Sequence, residues 1–159
     1  MEKSYRLGLV ALLTFALSSC ASQKTQPILF ENIQVRYQSA YHEQGPDAYL
    51  INSTTELDSV LAKLQLTPSP GGIDLTEMLQ DRSLILVYGG NRPTAGHKLH
   101  VLKINRVKKE LQIKSRLFVP GANCYVPQVI TYPLQVVAIP KTTGVQLTLD
   151  LLQSTQDCK

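Results

Sequence analysis

The sequence predicts an α+β domain: a mainly antiparallel or mixed β-sheet of six or seven strands packed against one principal helix. Three observations predict it. Only one segment, through Leu57, Val60, Leu61 and Leu64, spaces its apolar residues with the helical period. Most other apolar stretches alternate with period two or form runs of strand length. Clusters of Gly, Pro and Asn separate them. The same tally admits a small β-sandwich or barrel with one helix as the second architecture.

The chain opens with MEKSYRLGLVALLTFALSSC. Lys3 and Arg6 supply a positive start, Leu7 to Leu17 is almost wholly apolar, and Ser18-Ser19 are small. Such a run is shorter than the roughly 20 residues that span a bilayer and has the layout of a secretory leader. Leu17-Ser18-Ser19-Cys20 resembles the bacterial lipobox, where the cysteine thiol takes the diacylglycerol and small neighbours suit the peptidase. The expectation is a signal peptide over 1–19 and a tether over 20–27 lipidated at Cys20. A single domain over 28–159 follows. Several acyl chains, at ~0.8 kcal/mol per buried CH₂, hold a protein firmly on a bilayer. Ala21 after the modified cysteine, in place of Asp, points to the outer rather than the inner membrane if the cell has two.

The mature chain carries 14 basic and 11 acidic side chains, a net charge of +3. That is too weak to indicate a nucleic-acid site. The Arg106, Lys108, Lys109 cluster lies between two strand patterns and is expected in a solvated hairpin turn, with anionic lipid or a partner as the less favoured contact. Composition, at 43% hydrophobic and 18% charged, excludes a disordered chain.

Ile33, Val35 and Tyr37 alternate within 28–41 and predict a strand, and Ala48 to Ile51 predicts a second. Ser53 and Glu56 form a capping box at the start of the helix, which is expected to run about three turns and to be stopped by Pro68-Ser69-Pro70-Gly71-Gly72. Ser83 to Tyr88 is a continuous apolar run, expected in the middle of the sheet with both faces covered. His97 to Ile104 and Glu110 to Val119 predict an antiparallel hairpin. In the second of these Leu111, Ile113, Ser115, Leu117 and Val119 share one face. Val129 to Tyr132 and Leu134 to Ile139 continue the strand pattern around Pro133, and Val145 to Leu152 predicts the last strand.

No constellation for catalysis emerges. Gly89 to Gly96 fits neither phosphate-loop spacing, and no helix pattern follows it. His97 and His100 stand three apart on an expected strand, so they face opposite ways. A Cys/His hydrolase built on Cys124 and His97 is the remaining enzymatic reading, and it needs a free thiol. No cofactor or metal site is expected, because His42, His97 and His100 show no ligand spacing with the cysteines. Outside the cytoplasm Cys124 and Cys158 form the expected disulfide, with two free thiols as the alternative. Candidate partner contacts are Asn91, Arg92, Thr94, His97, Tyr125 and Tyr132, all near loops, where contacts concentrate.

The order of several motifs carries a resemblance. Ile73-Asp74-Leu75 is followed by the strand ending at Gly90 and by the loop Arg92-Pro93-Thr94-Ala95-Gly96. After the hairpin come Pro120-Gly121-Ala122-Asn123-Cys124 and Val129 to Pro140. From about 48 to 141 the chain resembles the PrcB C-terminal domain family, named for a protease complex subunit. The family's loop has a Thr-Gly-Gly-Tyr-like stretch where this chain has Thr94-Ala95-Gly96-His97, so its first glycine and its tyrosine are replaced, which weakens any carry-over of a loop function. The resemblance implies a non-catalytic envelope domain that stabilises or assists another envelope protein, with a protease complex among the partners. A lipoprotein that binds a small ligand or glycan is the alternative.

Overall fold

The structure is a computed structural model that describes residues 24–39 and 44–158. The leader over 1–19, Cys20 and the first part of the tether lie outside the described residues. In chain order the elements are β1 (Gln26–Ile28), β2 (Glu31–Ile33), β3 (Tyr37–Ser39), β4 (Asp47–Ile51), α1 (Thr54–Lys63) and β5 (Leu66–Pro68). A 3₁₀ turn at Met78–Gln80 follows, then β6 (Arg82–Tyr88), β7 (Lys98–Val107), β8 (Glu110–Pro120), β9 (Leu134–Pro140) and β10 (Gln146–Gln156).

The α+β class and the principal helix are as expected, but the single sheet is not. The strands form two four-stranded sheets, β1-β7-β8-β10 and β2-β9-β6-β4, and a two-stranded pair, β3-β5. The four-stranded sheets pack face to face, and α1 covers the outer face of the second. A period of two reports only that alternate side chains are buried; it does not say against which layer. β6 shows this most clearly. Ile85 and Val87 enter the core between the sheets, whereas Leu84, Leu86 and Tyr88 enter the core beneath α1. Both sets have no solvent exposure, which explains the unbroken apolar run.

The pattern over 28–41 also divides. β1 pairs with β7 in one sheet, and three residues later β2 pairs with β9 in the other. β3 then leaves to pair with β5. Ile33 is buried beneath α1 with Val35 and Tyr37 packed beside it, so alternation persists although the pairing partner changes. The predicted hairpin is present, with β7 and β8 antiparallel and a register shift between Val101 and Lys103. β10 runs parallel to β8. The chain visits the opposite sheet as β9 before returning, and two reversals restore its direction.

Helix α1 follows its sequence signals. The Ser53 hydroxyl accepts from the Glu56 amide at 3.2 Å, and the Glu56 carboxylate accepts from the Asn52 amide at 2.6 Å. Leu57 and Val60 are buried. The helix ends before the expected Pro-Gly cluster. Leu64 is its C-cap, Gln65 turns to φ 47°, and β5 begins at Leu66.

Candidate functional site

Because β6 and β9 are neighbours, the segment leaving one lies beside the segment entering the other. Residues 89–97 and 121–133 therefore meet. The Gly89 amide donates to the Pro133 carbonyl at 2.7 Å, and Arg92 and Thr131 exchange two backbone bonds of 2.9 Å. Further out, the Ala95 amide donates to the Pro127 carbonyl at 3.0 Å, and the Thr131 hydroxyl donates to the Thr94 carbonyl at 2.9 Å. The result is a narrow two-stranded ribbon at one end of the sandwich. Pro127 and Pro133 have no N–H to give, so the expected strand over Val129 to Tyr132 is reduced to a single bridge at Thr131. Gly96 makes the close approach workable. Its φ is 86°, and a Cβ there would lie 3.0 Å from the Pro120 ring and 3.1 Å from Val126.

Five of the six candidate contact residues are engaged within the ribbon and its base. Asn91 accepts from the buried Tyr88 hydroxyl at 2.7 Å. The Arg92 guanidinium donates to the Gly89 carbonyl at 3.1 and 2.6 Å, and partial burial lowers its pKa. The Thr94 carbonyl also lies 3.0 Å from His97 Nδ1, which must be the donor, since a carbonyl can only accept. Tyr132 packs partly buried against the core beneath α1. Burial, then the neighbouring Tyr132, pushes the Tyr88 phenol up to about 12.

Tyr125 is different: it is fully exposed at the ribbon surface. Val129 and Ile130, on the same segment, are 52% and 50% exposed. These two were not among the sequence candidates as contact residues, because an apolar pair beside Tyr132 has the pattern of a strand. The flanking prolines were the signal that could have found them.

A disulfide joins Cys124 to Cys158, with Cα atoms 5.0 Å apart. It fastens the ribbon to the chain following β10, beside a Gly121 amide to Gln156 carbonyl bond of 2.9 Å. Cys124 therefore has no thiol to pair with His97, which removes the Cys/His hydrolase reading. His100 stacks edge-on to Phe118 at 5.5 Å. Among the described residues no group of three or more His, Cys, Asp or Glu could hold a metal ion.

A second concave feature lies between α1 and the 68–76 segment. It is a groove of about 360 Å³ with Val35, Tyr37, Leu57, Leu61 and Ile73 on its walls. Asp74 stands at its rim, its pKa lowered by the hydroxyl and amide of Thr76.

Residues 83–140 match the family described as PrcB C-terminal. The match is narrower than the resemblance over 48–141: it covers about a third of the chain and omits α1. It runs from the second residue of β6 to the end of β9, so both halves of the ribbon fall inside it. No curated protein and no solved structure matches the chain. Among the described residues no helix is long and apolar enough to cross a membrane.

Proposed function

We propose that this chain is a non-catalytic accessory domain of the bacterial cell envelope, anchored by lipid on Cys20, that binds another envelope protein through its ribbon. The observation that carries the proposal is the exposure of Tyr125, Val129 and Ile130 on a segment braced by a disulfide, within the part of the chain that matches the PrcB C-terminal family. Exposed aromatic and aliphatic side chains on a fixed backbone bind with little loss of conformational freedom. The disulfide supports a location outside the reducing cytoplasm. It also leaves Cys20 as the cysteine not used in pairing, in keeping with the lipobox-like Leu17-Ser18-Ser19-Cys20.

The first test is mass spectrometry of the protein recovered from its own cells. Diacylated Cys20 at the N-terminus is the expected result; an intact leader on an unmodified Cys20 overturns the anchor. The second is co-purification from gently solubilised membranes. A partner held by the native chain is expected to fall at least tenfold in yield with Tyr125→Ala, Ile130→Ser, while the fold is retained. A partner held equally by both chains would place the contact elsewhere.

The groove beside α1 favours the second reading, a small-ligand or glycan lipoprotein, because its volume is at the lower end of the roughly 300–1,000 Å³ usual for ligand sites. A ligand of that kind would be displaced by Leu61→Arg, a change remote from the ribbon.

A further inference from the structure

The charges of this chain are segregated along it. Residues 83–149 hold nine Lys and Arg against one acid, Glu110, whereas residues 24–82 hold four basic and eight acidic side chains. The fold turns this division into a surface. Most of the basic residues of the first group belong to β7, β8 and their turn, where Leu99, Val101, Ile104, Ile113 and Leu117 fill the sandwich. The alternate side chains Lys103, Lys114 and Arg116 face outward and the turn adds Lys108 and Lys109, while Arg106, on the Ile104 side of its strand, reaches the turn by donating to the Lys108 carbonyl. Lys103 stands directly opposite Lys114. Like charges at directly opposed positions oppose folding. The acids of these four strands are Glu110, which accepts from the Thr148 hydroxyl, and Asp150, at the Lys114 register. Leu102, 42% exposed at the register shift, and Leu152, 37% exposed, add apolar contacts to the same sheet.

The route of the chain indicates what this surface meets. β1 runs antiparallel to β7 with Gln26 opposite Arg106, so the residues before Gln26 leave the sheet beside the turn of Lys108 and Lys109. Lys24 adds another cation there, and Cys20 lies six positions before Gln26. Six residues can span at most about 20 Å.

We propose that the outer face of the β1-β7-β8-β10 sheet, with its basic turn, docks on anionic lipid headgroups. The choice of a lipid surface over other polyanions rests on the anchored reading above. The ribbon occupies the opposite end of β7, ten residues away or about 30 Å. A docked domain therefore keeps Tyr125, Val129 and Ile130 about 30 Å along β7 from the basic turn.

The test uses the unacylated chain from Ala21, which retains all the described strands, helix α1 and both cores. It is sedimented with vesicles of phosphatidylglycerol and phosphatidylcholine, and with phosphatidylcholine alone. Binding is expected only to the anionic vesicles and is expected to disappear in high salt. Lys103→Gln, Lys109→Gln should weaken it about thirty-fold, at ~1 kcal/mol per basic residue. Arg36→Gln, Lys63→Gln, which removes the same charge from the α1 side, should leave it nearly unchanged. Equal losses in the two chains, binding to neutral vesicles, no binding at all, or tighter binding to duplex DNA at the same salt would each overturn the proposal. Because this chain carries no acyl group, its result is separate from the Cys20 measurement.

Discussion

Tyr88 joins the core to the ribbon. Its ring lies in the core beneath α1, and its hydroxyl donates to Asn91 at the first turn of the ribbon. Burial favours the neutral phenol, so the folded-state pKa of about 12 lies above the ordinary value of 10. The sign of the linkage follows. Tyr88 contributes its full stability below pH 10, and the contribution is lost as pH rises from 10 toward 12. Tyr37 and Tyr49 are shifted upward as well, chiefly by burial. Chemical denaturation between pH 9 and 12 should show a falling stability, and Tyr88→Phe should flatten part of that fall while lowering the value at neutral pH by ~1 kcal/mol for the lost bond to Asn91. An unchanged alkaline slope in the variant would assign the fall to the other tyrosines. The loop substitution relative to the Thr-Gly-Gly-Tyr-like pattern also makes sense here. Among the described residues other than glycine, Gln65 and Lys108 alone take positive φ, so Ala95 needs no glycine, whereas Gly96 at φ 86° does.

Elements were legible where local chemistry determines them. Ser53, Glu56 and the Leu57, Val60, Leu61, Leu64 stripe located α1, and the alternation in Glu110 to Val119 gave the correct faces of β8. The helix C-terminus was misplaced because Gln65 adopts a left-handed conformation that glycine usually supplies. Gln65→Gly should therefore raise stability by about 1 kcal/mol, seen as a higher melting temperature with no loss of helical signal. A lower melting temperature would mean that the Gln65 side chain has a stabilising role not visible in its backbone. The division into two sheets was not legible, since β1 and β2 are three-residue strands whose partners are set by β7 and β9, more than seventy residues on. The ribbon was half legible. Both of its segments contained sequence candidates, but their pairing depends on β6 and β9 being neighbours, and most of the polar candidates proved to stabilise the ribbon itself.

For the whole molecule, the Cys124–Cys158 bridge closes a loop of 34 positions and fixes the far end of β10 to the ribbon. Loop-closure entropy makes it worth about 3–4 kcal/mol. Reduction, or Cys158→Ser, should lower the melting temperature by several degrees and should also weaken partner capture, because the Tyr125 backbone would lose its brace. Partner capture that survived reduction unchanged would show that the ribbon is rigid without the bridge. The opposite end of the molecule is arranged differently. β1 lies in one sheet and β2 in the other, so the segment from Lys24 to Ile33 works as a strap across both layers. If Cys20 is lipidated as proposed, tension on the chain before Lys24 would reach this strap before anything else. Peeling the three-residue β1 from β7 would free a few residues and lengthen the leash by about 10–20 Å. Both cores and the disulfide would be left under no load, so the domain can absorb a tug by yielding at its first strand.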